Sequence, residues 1–154
     1  MNRSRVALAI ATVLGVGRAP FAPGTFGSAV GLILWWLLPP SVAVQSVVIA
    51  AVFVLGAWSG GVAERHFGRI DPSEVVIDEV VGMWMTLWMN PVGWLGAVGA
   101  FVAFRIADIL KPFPANRLER LRGGLGVMAD DAMAAVYANL ALRAALILLD
   151  SRAA

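Results

Sequence analysis

The chain contains no cysteine and one histidine, and only 14% of its 154 residues are charged. Without cysteine there is no disulfide framework, no thiolate nucleophile and no Cys-based zinc site. The single histidine, His66, lies in a charged segment, and we interpret it as a surface residue. Chemistry in this chain therefore depends mainly on carboxylates, lysine and arginine.

Apolar residues make up 60% of the sequence, compared with about 45–50% in ordinary soluble domains. Residues 29–61 and 80–104 carry no charge at all. Such runs favour the bilayer as solvent, although an unusually hydrophobic soluble protein is the alternative. The sequence predicts an all-α fold, a compact membrane-embedded bundle of about six helices, with residues 1–154 as one domain.

Prolines and glycines divide the apolar runs into two predicted helical hairpins. The first consists of residues 29–38 and 41–60, with Pro39 and Pro40 at its turn. The second begins at Asp71, which we expect to be an N-cap followed by Pro72 at the first helical position. Its helices cover residues 71–89 and 94–111, and Pro112 ends the second of them. A short interfacial helix over 6–16 and a spanning helix over 127–149 complete the prediction.

Both hairpin turns are uncharged, so the segments 17–28, 61–79 and 105–131 should meet at one membrane surface. Arginine and lysine concentrate there, and the positive-inside rule then makes this surface cytoplasmic. A basic cluster after the second hairpin indicates an anionic neighbour, which for a membrane protein is a lipid headgroup and not nucleic acid. The cluster consists of Lys111, Arg117, Arg120 and Arg122.

The stretch from 104 to 131 holds most of the charge. Arg105, Asp108 and Lys111 follow one another at spacings of three, so on a helix they share roughly one face. Arg105 and Lys111 can bind phosphate oxygens, the first as a fork and the second as a point charge. Salt bridges to nearby acids are the structural alternative, and the two roles are compatible.

Two pairs of acids can add a metal site to these cations. Asp130 and Asp131 open the last helix, where they either stabilise its start or coordinate Mg²⁺ through hard oxygen ligands. Asp78 and Glu79 lie in apolar surroundings and would be costly there without a partner. They either pair with the basic residues or contribute to the site. Adjacent helix positions diverge by about 100°, so we expect one to be a ligand and the other a supporting group or base.

The segment 22–28 is rich in glycine and contains Gly24, Thr25 and Ser28. We expect Ser28 to cap a helix beginning at Ala29. Free backbone N–H groups and the two hydroxyls would then form a cradle for an anion. The segment lacks the Gly-Lys-Ser/Thr ending of a phosphate-binding P-loop, and a simple tight turn is the alternative.

Three blocks of sequence together resemble the phosphatidylglycerophosphatase A family. They are Ala22-Pro-Gly-Thr-Phe-Gly-Ser28, Val76-Ile-Asp-Glu-Val-Val-Gly82, and Phe104-Arg-Ile-Ala-Asp-Ile-Leu-Lys-Pro112 with Gly124-Leu-Gly-Val-Met-Ala-Asp-Asp131. The resemblance implies an all-helical, Mg²⁺-dependent enzyme of the bacterial inner membrane. Its reaction would remove the terminal phosphate of phosphatidylglycerophosphate to give phosphatidylglycerol.

The residues that the chain lacks point to the same chemistry. The absence of cysteine excludes a thiolate phosphatase, and a single histidine excludes a lipid phosphatase mechanism that uses two histidines. We hypothesise that metal-activated water attacks the phosphomonoester. The predicted Mg²⁺ ligands are Asp78, Asp108, Asp130 and Asp131, with Glu79 as supporting group or base. The predicted phosphate-binding residues are Gly24, Thr25, Ser28, Arg105 and Lys111. The rival functions are a small membrane transporter or ion-binding protein using the same carboxylates, and a soluble headgroup enzyme docked on the surface.

Overall fold

A computed structural model describes residues 3–118, 121 and 123–153. These residues form α-helices and no strands, which confirms the predicted all-α class. The helices are α1 (Arg3–Ala11), α2 (Pro23–Trp35), α3 (Val42–Phe67), α4 (Ile77–Leu87), α5 (Trp94–Leu110), α6 (Ala115–Leu118) and α7 (Gly124–Ala153), and a 3-10 turn covers Val16–Arg18.

The first predicted hairpin is present as α2 and α3. Pro39 and Pro40 lie in the connection, and Ser41 caps α3 by accepting a 3.5 Å hydrogen bond from the Val44 N–H. Gly68 ends α3 in the left-handed conformation at φ 71°, where glycine has no Cβ penalty. The helix therefore runs seven residues past the predicted end at 60, and its last turn contains the basic residues Arg65 and His66.

The second hairpin consists of α4 and α5, with the predicted turn at 90–93. Lys111 adopts a left-handed conformation at φ 42°, and Pro112 follows it, so α5 ends at Leu110. Nine of the eleven residues of α4 are buried. At about 1.5 Å per residue α4 is far shorter than a hydrocarbon core of about 30 Å. It is therefore an internal helix and not a lipid-facing one.

Other helices surround α4, because α2, α3, α5 and α7 all pack on it. The Trp84 indole N–H donates to the Gly31 carbonyl of α2 at 2.9 Å. At the C-terminal end of α4 the Asn139 amide of α7 donates to the carbonyls of Met85, Thr86 and Trp88 at 2.8–3.0 Å. These bonds satisfy carbonyls that a helix end leaves without intrahelical partners.

Two helices, α3 and α7, are long and apolar enough to cross a membrane, over Val42–Phe67 and Gly124–Ser151. Large apolar side chains stay exposed along both of them, including Val47 and Val54 on α3 and Leu140 and Ile147 on α7. In a soluble protein such faces would be in water, whereas the bilayer accommodates them. The bundle thus has an apolar outer face and an internal helix that carries charge.

Three local predictions are wrong. Ser28 does not cap a helix at Ala29, because α2 already begins at Pro23, and proline is favoured at the first helical position. Asp71 does not start a helix either: it has φ 47°, and α4 begins only at Ile77. The N-terminal helix ends at Ala11 and not at 16. Of the predicted basic cluster, Arg120 and Arg122 lie outside the described residues.

Candidate active site

The first two site residues open α4, where the partial positive charge of a helix N-terminus favours carboxylates. Asp78 is 6% exposed, and the Glu79 side chain is 13% exposed. The two carboxyl groups are close enough for each to shift the pKa of the other.

Asp131, in the second turn of α7, brings a third carboxylate to the pair. One oxygen from each of Asp78, Glu79 and Asp131 lies within 4.8 Å of the others. Asp78 Oδ1, Glu79 Oε2 and Asp131 Oδ2 are buried without a hydrogen-bond partner. Buried oxygens normally have partners, and three neighbouring carboxylates that each keep one oxygen unpartnered fit a divalent cation. The cluster can therefore hold a metal ion.

Arg105, on α5, connects this cluster to α2. Its Nη1 lies 2.6 Å from Asp108 Oδ2 and 3.8 Å from Glu79 Oε1, and it donates to Ser28 Oγ at 3.4 Å. Asp108 in turn lies next to Asp131. The spacing of three between Arg105 and Asp108 thus gives an ion pair on one helix face, as the sequence predicts. The Arg105 Nε is buried without a partner and remains available to an acceptor.

Lys111, at the C-terminal end of α5, lies between two acids. Its Nζ is 2.7 Å from Asp130 Oδ2 and 4.0 Å from Asp71 Oδ2. Asp130 is buried, so the ammonium compensates a carboxylate that burial would otherwise penalise. The structure thus places Asp130 with Lys111, beside the three-carboxylate cluster and not within it.

The start of α2 lies directly against the cluster. A Cβ at Gly24 would overlap Glu79 Oε1 and would lie 3.1 Å from Arg105 Nη1, so only glycine leaves room there. Ser28 donates its hydroxyl to the Gly24 carbonyl at 2.9 Å. Thr25 is in the same first turn and half-buried, with its backbone N–H bonded to the Ala22 carbonyl at 2.9 Å.

Burial dominates the electrostatics of the α4 acids. It raises the pKa of Asp78 well above its usual range, and the nearby charges of Glu79 and Asp131 raise it further. Burial also raises the pKa of Glu79 to about 7, against the opposing effects of the adjacent Asp78 carboxyl and of the Arg105 guanidinium. A bound divalent cation would compensate the same charges and displace the proton.

The structure therefore brings all ten predicted site residues to one end of the bundle. The grouping differs from the predicted ligand set: Glu79 joins Asp78 and Asp131 despite its divergence from Asp78 on the helix, whereas Asp130 pairs with Lys111 and Asp108 with Arg105. Long side chains can turn back toward a common centre, and spacing alone does not show this. Asp71, interpreted from sequence as a helix cap, contacts Lys111 instead.

The described residues form a helical bundle with two candidate membrane-crossing helices. At one end a buried carboxylate cluster, able to hold a metal ion, is flanked by arginine and lysine. These features are typical of a membrane-associated protein that acts on a phosphate group. A sequence model of phosphatidylglycerophosphatase A matches residues 9–146. The chain belongs to the phosphatidylglycerophosphatase A family. Membership identifies it as a lipid phosphatase, and the two helices long and apolar enough to cross a membrane agree with a membrane protein.

Curated relatives agree with the family and differ in name. A phosphatidylglycerophosphatase A of Escherichia coli K12 is 35% identical over 82% of this chain and 76% of its own length. That of Haemophilus influenzae is 38% identical over 84% and 82%. A Bacteroides thetaiotaomicron protein, provisionally named as a phosphatidylinositol-3-phosphatase, is 38% identical over 88% and 91%. No solved structure matches the chain.

Proposed function

We propose that the chain hydrolyses the terminal phosphomonoester of phosphatidylglycerophosphate to phosphatidylglycerol, with Mg²⁺ as its metal, at the cytoplasmic face of a bacterial inner membrane. The observation that carries the proposal is the convergence of Asp78, Glu79 and Asp131 beside Arg105 and Lys111. Hard carboxylate oxygens suit Mg²⁺, and neighbouring cations suit phosphate. The names of two curated relatives support the choice of lipid.

The metal would be held by Asp78, Glu79 and Asp131, whose unpartnered oxygens it would satisfy. When bound, Mg²⁺ neutralises phosphate charge and lowers the pKa of water in its shell. Asp108 would support this group by holding the Arg105 guanidinium beside it at 2.6 Å. Asp130 would act through Lys111, which it holds in place at 2.7 Å.

The phosphate itself would be bound by residues on three helices. The unpartnered Arg105 Nε and the Lys111 ammonium would contact non-bridging oxygens, where charge must be stabilised as the ester bond breaks. At the N-terminus of α2, Gly24 would let the backbone approach the same group and Thr25 would offer its hydroxyl. Ser28 would keep Arg105 oriented through the 3.4 Å hydrogen bond from the guanidinium. Burial of the acids excludes bulk water and strengthens these interactions.

The orientation follows from charge. Arg65, Arg69, Arg105 and Lys111 all lie at the end of the bundle where the site is, and the positive-inside rule makes that end cytoplasmic. The headgroup of an inner-leaflet lipid would then enter the site from its own membrane surface.

The test is phosphate release by purified protein in mixed micelles. We expect release from phosphatidylglycerophosphate with Mg²⁺, none with EDTA, and a loss of at least about a hundredfold in Asp131→Asn. Asp150→Asn is the matched control, since Asp150 is exposed near the far end of the same helix. Phosphatidylinositol 3-phosphate is tested in parallel as a second substrate. Release from that lipid alone, or release that persists in EDTA, would contradict the proposal.

The substitution Glu79→Gln tests whether Glu79 is a metal ligand or a general base. Loss of a ligand weakens the apparent Mg²⁺ affinity, whereas loss of a base lowers kcat and leaves that affinity unchanged. We expect the weaker affinity, because the Glu79 oxygen converges with those of Asp78 and Asp131.

A further inference from the structure

A pocket of about 520 Å³ lies at the same end of the molecule as the carboxylate cluster. Its walls come from the segment before α2, the start of α2 and the loop before α4. They include Arg18, Phe21, Pro23, Phe67, Ser73 and Glu74. None of these residues belongs to the predicted site, and the reaction proposed above leaves the pocket without a role.

Two chain segments connect this pocket to the carboxylate cluster. Pro23 lines the pocket, and the next residue, Gly24, contacts Glu79 and Arg105. Ser73 lines the pocket as well, and Asp71 of the same loop lies 4.0 Å from Lys111. Since consecutive Cα atoms are about 3.8 Å apart, the two sites adjoin.

The pocket favours an anion. Arg18 forms no ion pair with any carboxylate of the described residues and is exposed. Glu74 is the acid among the lining residues, and Arg69 binds it. The N-cap Ala22 gives α2 no side-chain cap, and the positive end of the helix dipole lies at the pocket wall formed by Ala22 and Pro23. Arg18 therefore offers the pocket a positive charge that no acid of the described residues compensates.

The position of Arg18 is fixed by close packing. It ends the 3-10 turn, whose Gly17 lies so close to the Glu74 carbonyl that any side chain would overlap it. The turn and the loop before α4 are thus held together, and the guanidinium is presented from a defined backbone.

We propose that Arg18 binds the phosphodiester of the lipid headgroup while Arg105 and Lys111 bind the terminal phosphate. The inference rests on the proposed function, whose substrate carries two phosphates joined by one glycerol. Recognition of both phosphates distinguishes this headgroup from a lipid with a single phosphomonoester. Phe21 and Phe67 provide apolar surface for the glycerol between them.

The experiment measures inhibition of phosphatidylglycerophosphate turnover by three soluble anions. Glycerophosphoglycerophosphate carries both phosphates, glycerol 3-phosphate carries only the monoester, and inorganic phosphate carries no glycerol. In Arg18→Gln we expect the inhibition constant of the two-phosphate anion to rise about tenfold or more, since a hydrogen bond to a charged group is lost. For the other two anions we expect changes below about twofold.

Arg65→Gln is the matched control, because Arg65 is exposed at the same end of the bundle but does not line the pocket. It should leave all three inhibition constants unchanged. Equal weakening of all three anions by Arg18→Gln would assign Arg18 to the terminal phosphate and overturn the proposal. So would an unchanged constant for the two-phosphate anion. A wild-type protein that releases no phosphate from the lipid would instead refute the proposed function itself.

Discussion

Gly24→Ala tests the contact between α2 and the carboxylate cluster. The added Cβ would overlap Glu79 Oε1, and both Glu79 Cδ and Arg105 Nη1 would lie 3.1 Å away. Because carbon contacts are optimal at about 3.5–4.0 Å, the carboxylate must retreat by roughly 1 Å. The atoms that move are the ends of flexible side chains, so the backbone of α2 need not shift.

The expected effects on activity and on stability are very different. A misplacement of about 1 Å in a catalytic constellation can cost about a hundredfold in rate. The folded state, in contrast, should change little, since alanine reduces the entropy of the unfolded chain by an amount worth about 0.4–1 kcal/mol. We therefore expect a folded protein with about 1% of wild-type activity.

The assay is Mg²⁺-dependent phosphate release, with thermal unfolding measured on the same samples. Gly99→Ala is the matched control: Gly99 lies within α5, and a Cβ there meets no atom within 4 Å. It should retain full activity with equal or slightly higher stability. If Gly24→Ala retained more than about a tenth of wild-type activity, the cluster would not depend on the observed position of Glu79.

Two further predictions concern charge. Because burial raises the pKa of Glu79 to about 7, Mg²⁺ must displace a proton below that pH. The apparent affinity for Mg²⁺ should therefore increase from pH 6 to pH 8, as measured by titrating activity against Mg²⁺ at each pH. An affinity that falls over this range would contradict the prediction. Lys111→Met leaves the buried carboxylate of Asp130 unpaired and should lower the free energy of unfolding by about 3–5 kcal/mol. The double variant Lys111→Met with Asp130→Asn should recover part of this loss, because it removes the unpaired charge. Equal unfolding midpoints for the single and the double variant would refute this pairing.

Sequence reasoning located the helical hairpins because their signals are local. Pro39, Pro40 and the turn at 90–93 interrupt apolar runs, and Pro112 ends α5 where the sequence predicts. The gathering of charge at one end followed from two uncharged turns, which return the chain to the same side. Hydrophobic length and turn chemistry were therefore sufficient for the architecture.

Local signals failed where tertiary contacts use the same residues differently. Asp71 and Glu74 look like a capping box, but Lys111 and Arg69 engage them, and α4 begins later. The grouping of the acids also depends on how α7 is rotated about its axis. That rotation places Asp131 with the α4 carboxylates and leaves Asp130 to Lys111. Adjacent positions in the sequence carry no information about this choice.

The hydrogen bonds between α7 and α4 limit how the chain can vary. Asp131 meets the start of α4, and Asn139 meets its end, so both helices run in the same direction with matched spacing. Eight residues of α7 correspond to about 12 Å, close to the rise between Asp78 and Met85. Inserting or deleting one residue between 131 and 139 would rotate one of these contacts away by about 100°. This segment can therefore change in composition but not in length.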